Sequence, residues 1–156
     1  MDATTMPSTH LLITQLKKAY PQFDFLPGQQ YAWSPKNNVI YFKADGNQDA
    51  LLLHELSHAL LDHTDYNRDI ELLAMERAAW DTAVTLSATF STPINEDTVQ
   101  TTLDSYRDWL HARSTCPSCQ ATGLQTKKKT YTCLACRHTW DVNEARICGL
   151  KRTKHI

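Results

Sequence analysis

Two histidines and a glutamate stand close together in an otherwise apolar run, "DALLLHELSHALLDH", at residues 49–63. If this run is a helix, His54 and His58 lie one turn apart on the same face, so both imidazole rings can reach one metal ion. Glu55 lies beside them and can accept the proton of a water molecule that such a metal activates. The H-E-x-x-H spacing therefore predicts zinc-dependent hydrolysis, and a bound metal would explain why an apolar helix tolerates these polar side chains.

A catalytic zinc site needs a third protein ligand and keeps one position open for water. If the helix continues to His63, that ring points well over 90° away from the other two, and the next histidine is His111. The following predicted helix, about residues 68–90, offers Glu71 and Glu76. Glu76 lies in the middle of an apolar stripe, where a carboxylate is costly unless it is paired or bound to metal. We therefore predict Glu76 as the third ligand, with a buried salt bridge to an arginine or lysine as the alternative.

A second candidate metal site follows from the cysteines, all of which occur after position 115. "CPSC" and "CLAC" form two C-x-x-C pairs separated by thirteen residues, a spacing typical of a zinc ribbon. Their four thiolates would complete a closed tetrahedral site without water: Cys116, Cys119, Cys133 and Cys136. His138 is an alternative ligand, and Cys148 is left over as a spare thiol. Because so short a segment buries little apolar surface, we expect the metal to supply its folding energy.

The charge is divided unevenly along the chain. Residues 1–111 carry seven Lys/Arg and fifteen Asp/Glu, a net charge of -8, whereas residues 112–156 carry nine Lys/Arg and two Asp/Glu, a net charge of +7. A basic end suggests DNA or protein contact, and Lys127, Lys128 and Lys129 between the cysteine pairs are the candidate binding residues. A solvated hairpin on a purely structural ribbon explains these lysines equally well, and four thiolates on one Zn²⁺ contribute about -2.

The periodicity of the remaining chain predicts the α+β class. A helix begins near Ser8 and stops before Pro21, two short strands turn at residues 35–38, and a helix capped by Asn95 follows the two already described. We therefore predict a metallopeptidase domain at residues 1–113, a zinc ribbon at 114–142 and a basic tail at 143–156. Residues 114–142 are called the cysteine module below.

No segment of the sequence is long and apolar enough to span a membrane, and the first residues, "MDATTMPSTH", lack the basic and apolar regions of a secretory signal. We therefore expect a cytoplasmic protein without membrane contact. In that compartment thiols stay reduced, which favours metal binding by the cysteines over disulfides.

The motif "HELSHALLDH", followed by "ELLAMERAAWDTAV", resembles the ImmA/IrrE-type zinc metallopeptidases. That family has an E-x-x-A-x-x-x-A pattern after its H-E-x-x-H helix, and Glu76, Ala79 and Ala83 match it. The resemblance implies a small gluzincin-like domain in which His54, His58 and Glu76 bind Zn²⁺ and Glu55 is the general base. Trp80 departs from the polar residue common at its position.

The same resemblance implies limited proteolysis of helix-turn-helix repressors in phage, mobile-element or stress regulation. It further implies that an edge strand comparable to residues 39–42 pairs with extended substrate, although these residues fit a core strand equally well. Two other functions stay open. One is a nucleic-acid-binding or adaptor protein that does not use its H-E-x-x-H site. The other is a DNA-associated protease of the SprT kind, which uses a third histidine that this sequence does not offer before His111.

Overall fold

The computed structural model describes residues 8–145 and 152–155, and within them the chain is α+β, as predicted. It forms four helices and two small sheets. The helices are α1 (Ser8–Ala19), α2 (Asp49–Leu60), α3 (Asp69–Thr89) and α4 (Glu96–Ser114). The strands are β1 (Asp24–Pro27), β2 (Ala32–Ser34), β3 (Val39–Phe42), β4 (Gly123–Lys127), β5 (Thr130–Cys133), β6 (Thr139–Val142) and β7 (Arg152–Lys154). The predicted Cys148 thiol and the first seven residues lie outside the described ranges.

The first sheet has the strand order β1-β3-β2, with β3 parallel to β1 and antiparallel to β2. Three of the four side chains of β3 are buried, as expected for a strand with a neighbour on both sides. The edge-strand role that the resemblance implied for residues 39–42 is therefore wrong, and these residues form the core strand that was the alternative. The two edges of this sheet belong to β1 and to the short strand β2.

Helix α2 follows β3 and is apolar on most of its circumference. Leu52, Leu53 and Leu56 are fully buried, and both histidines of the motif are buried with them. The helix ends at Leu60, three residues earlier than predicted, because Asp62 adopts a positive φ of 53°. The chain turns back at this point, and the backbone N–H of His63 donates to the carbonyl of His58 at 3.0 Å.

Helices α3 and α4 show the apolar stripes expected from their sequences. On α3, Ala79, Trp80 and Ala83 are completely buried, and on α4 Val99 and Leu103 are buried. These stripes set the rotation of each helix, because burying apolar surface is the main favourable contribution to packing.

The chain divides into two compact units. One comprises residues 1–64 and 77–95, and the other comprises residues 65–76 and 96–156. The cysteine module thus shares a unit with α4 and with the first two turns of α3. Each unit combines two separate stretches of the chain. The predicted domain limits therefore stay predictions.

The cysteine module folds as a meander in which β4, β5, β6 and β7 are neighbours in order. Trp140 of β6 is fully buried and stacks on Tyr131 of β5, with ring centroids 5.7 Å apart. Gly123 makes room for this indole, since a Cβ there would lie 2.4 Å from Cη2 of Trp140. Strand β7 comes from the predicted basic tail and pairs with β6, so this part of the tail belongs to the sheet.

No helix among residues 8–145 and 152–155 is long and apolar enough to cross a bilayer.

Candidate metal centres

The two histidines of α2 approach each other closely through the same ring atom. Nε2 of His54 lies 3.1 Å from Nε2 of His58, and the rings meet edge to face. Two nitrogens bound to one tetrahedral Zn²⁺ at its usual bond length would be separated by about 3.4 Å. The side chains are 4% and 7% exposed, so the pair is nearly removed from solvent. The spacing in the sequence has therefore produced a pair of nitrogens arranged as ligands of one ion.

The third member of this group is Glu76 on α3. One ligand atom from each of His54, His58 and Glu76 lies within 4.8 Å of the others, and we call these three residues the His–Glu group. Glu76 is 7% exposed, which agrees with its predicted place in the apolar stripe. Glu71 is exposed and instead accepts the backbone N–H groups of Asn67 and Arg68 at 2.9 and 3.3 Å. The structure thus brings the three predicted ligands together and gives Glu71 a different role, at the start of α3.

His63 has a position that the sequence did not predict. Its Nδ1 lies 2.8 Å from Nδ1 of His58, because the chain has already left the helix and folded back. If His58 offers Nε2 to a metal, its Nδ1 carries the proton and donates to His63, as a second hydrogen bond commonly orients a metal-binding histidine. His63 is therefore a hydrogen-bond partner of a ligand. The signal in the sequence that could have predicted this turn is Asp62, since aspartate is among the residues that tolerate a positive φ.

Trp80 forms one wall of the His54 site. The indole is completely buried, and its ring stacks on the imidazole of His54 with centroids 4.2 Å apart and planes at 24°. A flat aromatic surface at this distance restricts the rotation of the imidazole. Trp80, which departs from the pattern of the ImmA/IrrE-type metallopeptidases, is thus packed directly against the candidate ligand His54.

Glu55 is half-buried beside the two histidines and is held by the first sheet. Its Oε2 accepts the backbone N–H of Trp33 at 2.8 Å, and Trp33 lies in the edge strand β2. The indole Nε1–H of Trp33 donates to the carbonyl of His63 at 3.0 Å. The orientation of the candidate base is therefore fixed by the backbone of an edge strand.

A cavity of about 300 Å³ includes Glu76 in its lining. The other lining residues are Tyr66, Leu72, Tyr106, Trp109 and Glu144. The candidate ligand therefore borders a space that is large enough for an amino-acid side chain and has aromatic walls.

The four cysteines form a second group with tetrahedral spacing. Sγ of Cys116 lies 3.6 Å from Sγ of Cys136, and Sγ of Cys119 lies 3.5 Å from Sγ of Cys133. Thiolates around one Zn²⁺ would lie about 3.8 Å apart. The backbone N–H of Cys136 donates to Sγ of Cys133, and chiefly this bond lowers the pKa of Cys133 to about 6, which favours the thiolate. We call these four residues the cysteine group; their spacing is compatible with the predicted zinc ribbon.

Two of the three predicted binding lysines are engaged within the protein. Lys128 forms an ion pair with Asp65 at 3.1 Å, and Lys129 forms one with Glu144 at 2.9 Å. Lys127 is exposed at the end of β4. Exposed ion pairs are weak and can exchange for contacts with a partner. The lysine cluster therefore offers less unpaired positive charge than the sequence suggested.

Comparison of the chain with protein-family models, with curated proteins and with solved structures found no match. The structure accordingly contains two candidate metal-binding groups in an α+β protein.

Proposed function

We propose that the protein is a zinc-dependent endopeptidase whose active site is the His–Glu group with Glu55 as the general base. The single observation that carries the proposal is the convergence of three ligand atoms within 4.8 Å beside a glutamate that the sequence places next to the first histidine. Two imidazoles and one carboxylate are a ligand set that catalytic zinc uses, with one position left open. A Zn²⁺ ion held there would supply a Lewis acid that polarises a peptide carbonyl and acidifies water.

The role of Glu55 is to take a proton from the attacking water and to return it to the departing amine. This role requires a carboxylate with a fixed direction, and the Trp33 N–H on Oε2 provides one. His63 and Trp80 support the same function by fixing the rings of His58 and His54, respectively. Catalysis of this kind depends on orientation, because small displacements of catalytic groups slow the reaction.

An extended peptide is the substrate that best suits the surroundings of Glu55. The strand β2 has β3 on one side only, so its other edge can pair with a further strand. The backbone of Trp33 on this strand is within hydrogen-bond distance of the candidate base. A peptide bound along β2 would therefore pass close to Glu55. Because Glu55 already accepts the Trp33 N–H, the peptide would pair through the other outward-facing backbone groups of this edge.

The resemblance to ImmA/IrrE-type metallopeptidases supplies the proposed natural substrate, a helix-turn-helix transcriptional repressor. The proposed reaction is limited proteolysis of this regulator. The gluzincin-like fold and the zinc-ribbon nature of the cysteine module belong to the same proposal.

The proposal is tested by Glu55→Gln in the zinc-loaded full chain. The amide cannot accept a proton, so we expect hydrolysis of a peptide library or a repressor to fall by about 10²-fold or more, while bound zinc is unchanged. Asp62→Asn is the matched control, because Asp62 is an exposed carboxylate just beyond the same helix. Equal cleavage by Glu55→Gln and the parent would exclude Glu55 as the base, and a zinc-loaded parent that cleaves nothing would contradict the peptidase.

The second candidate is a nucleic-acid-binding or adaptor protein whose His–Glu group is not catalytic. The net charge of +7 on residues 112–156 favours it. DNA binding through phosphate contacts should weaken steeply with salt, and replacing all three lysines at 127–129 should make that dependence shallower. Salt-dependent DNA binding by a protein that cleaves neither peptide nor repressor would favour this second candidate.

A further inference from the structure

A second carboxylate is buried on the same face of α3 as Glu76. Asp69 is the first residue of the helix and is 1% exposed. Residues seven positions apart lie on one side of a helix, about two turns from each other. The position of Asp69 therefore determines where the helix begins and, through the rigid helical backbone, where Glu76 lies. Nothing in the proposed hydrolysis uses Asp69.

Asp69 receives its partners from α4 and from the cysteine module. Nε of Arg113 donates to Oδ2 at 2.6 Å and Nη2 donates to Oδ1 at 3.3 Å, so the guanidinium holds the carboxylate with two bonds. The hydroxyl of Tyr131 in β5 donates to Oδ2 at 2.6 Å. Arg113 and Tyr131 are each 2% exposed.

The backbone of the same residue is also held by the cysteine module. The N–H of Asp69 donates to Oε1 of Gln125 at 2.7 Å, and Nε2 of Gln125 donates to the carbonyl of Lys128 at 2.9 Å. Gln125 lies in β4 and is buried. The first N–H groups of a helix lack partners within the helix, so an external acceptor fixes the start of the helix.

Buried contacts continue from this network to the cysteine group. The indole Nε1 of Trp140 donates to the backbone carbonyl of Arg113 at 2.9 Å, and Trp140 stacks on Tyr131. Both rings belong to the small core that also contains Cys116 and Cys133. A core of this size depends on its metal, because little apolar surface is available to hold it together.

We propose that Asp69, Arg113 and Tyr131 position Glu76 for metal binding, so that metal bound by the cysteine group raises the affinity of the His–Glu group for its own metal. The cysteine module then holds the start of α3 in place through its hydrogen bonds to Asp69. Because binding free energies are reciprocal, metal in the His–Glu group also strengthens binding by the cysteine group. The inference rests on the metal site of the proposed function and does not require hydrolysis.

The experiment titrates Co²⁺ into metal-free full-length protein. Thiolate-to-cobalt absorption in the near ultraviolet reports the cysteine group, and a separate visible absorption reports cobalt bound by nitrogen and oxygen ligands. Tyr131→Phe removes one hydrogen bond and keeps both buried charges, so we expect it to fold and to bind cobalt in the His–Glu group several-fold more weakly. Asp69→Asn removes the charge that Arg113 and Tyr131 hold, so we expect it to weaken that binding at least as much as Tyr131→Phe does.

Asp65→Asn is the matched control. Asp65 also contacts the cysteine module, through Lys128, but it is exposed and precedes the helix. Its removal should leave cobalt binding unchanged, because exposed ion pairs contribute little. Circular dichroism verifies that each variant is folded.

Substitutions in the cysteine group also test the coupling between the two metal-binding groups. Cys119→Ser should weaken cobalt binding in both groups, whereas Cys119→His should restore both, since three cysteines and one histidine also bind zinc. Unchanged His–Glu affinity in Tyr131→Phe, Asp69→Asn and Cys119→Ser would overturn the coupling, even in a protein that cleaves peptides. A parent in which all cobalt is bound by thiolates would overturn the coupling together with the His–Glu site.

Discussion

At the scale of single residues, Glu76 makes the difference between a pair of histidines and a three-ligand group. Two imidazoles alone would leave a metal weakly held, whereas a carboxylate adds charge and a third bond. The side chain is nearly buried in an otherwise apolar stripe, and such a position is costly for a carboxylate without a partner. Glu76 is thus buried and Glu71 is exposed, although both belong to the same helix and lie close together in the sequence.

Glu76→Ala should reduce zinc in the His–Glu group to a small fraction of the parent value, because one of three ligands is lost. Glu71→Ala should leave that zinc unchanged, since Glu71 is exposed and accepts backbone N–H groups at the start of α3. Those bonds lower the pKa of Glu71. Its contribution to stability is therefore present above the ordinary carboxyl pKa and is lost as the pH falls through the lowered value. Zinc content and thermal unfolding separate the two effects, and the reverse result would assign the ligand to Glu71.

His63→Ala should weaken metal binding by the His–Glu group by about 10-fold to 100-fold without removing a ligand, because the ring of His58 loses its hydrogen-bond partner. His10→Ala is the control, since His10 is exposed on α1. Competition with a metal indicator of known affinity gives the dissociation constants. Equal constants for His63→Ala and the control would show that His58 is oriented without His63.

At the scale of secondary-structure elements, two close approaches of chain segments determine the geometry. In the first, the backbone of β2 meets the side chain of Glu55 on α2. In the second, β4 passes over the Trp140 indole at a position that only glycine fits. Each approach fixes one element against another at a single residue, so each can be tested by a single substitution.

Gly123→Ala should destabilise the cysteine module by about 1–3 kcal/mol, because the new methyl group would overlap the Trp140 ring and force strand or ring to move. Leu124→Ala is the neighbouring control, as Leu124 is 51% exposed and its truncation should cost less. Thermal unfolding of the zinc-loaded proteins, together with the Trp fluorescence, measures the difference. A variant with the parent's stability would mean that the ring can shift at no cost.

At the scale of the whole molecule, the two metal groups differ in kind. The cysteine group offers four candidate ligand atoms, enough to close a tetrahedral site, whereas the His–Glu group offers three, which would leave one position open for water. The His–Glu group belongs to the acidic stretch, residues 1–111. The cysteine group belongs to the basic stretch, residues 112–156. The lysines that contribute to the basic excess are partly paired with Asp65 and Glu144.

Reconstituted protein should contain two zinc ions per chain, and a mild chelator should remove one of them much faster than the other. The faster ion belongs to the His–Glu group, because an open coordination position admits the chelator. Time-resolved metal release, repeated with Glu76→Ala, assigns the phases. Fewer than one ion per chain after reconstitution would contradict binding by the cysteine group.

The sequence by itself identified the residues of both candidate metal-binding groups. The distances along the chain between His54 and His58, and within each C-x-x-C pair, are short enough that local geometry alone brings the ligand atoms together. Glu76 could be selected from the sequence because helical periodicity shows which glutamate faces the apolar side. The α+β class followed from the same periodicity, whereas the gluzincin-like fold, the zinc and the peptidase activity stay predictions.

The tertiary structure alone decided what surrounds these ligands. The turn at Asp62 brings His63 to His58, and the strand order places β3 in the centre of its sheet with β1 and β2 at the edges. The network around Asp69 joins residues that are 44 and 62 positions apart. Such contacts depend on where the chain ends each element and on how separate segments pack, and neither is encoded in the spacing of neighbouring residues. Local periodicity thus selects the candidate ligands, and long-range packing selects the groups that surround them.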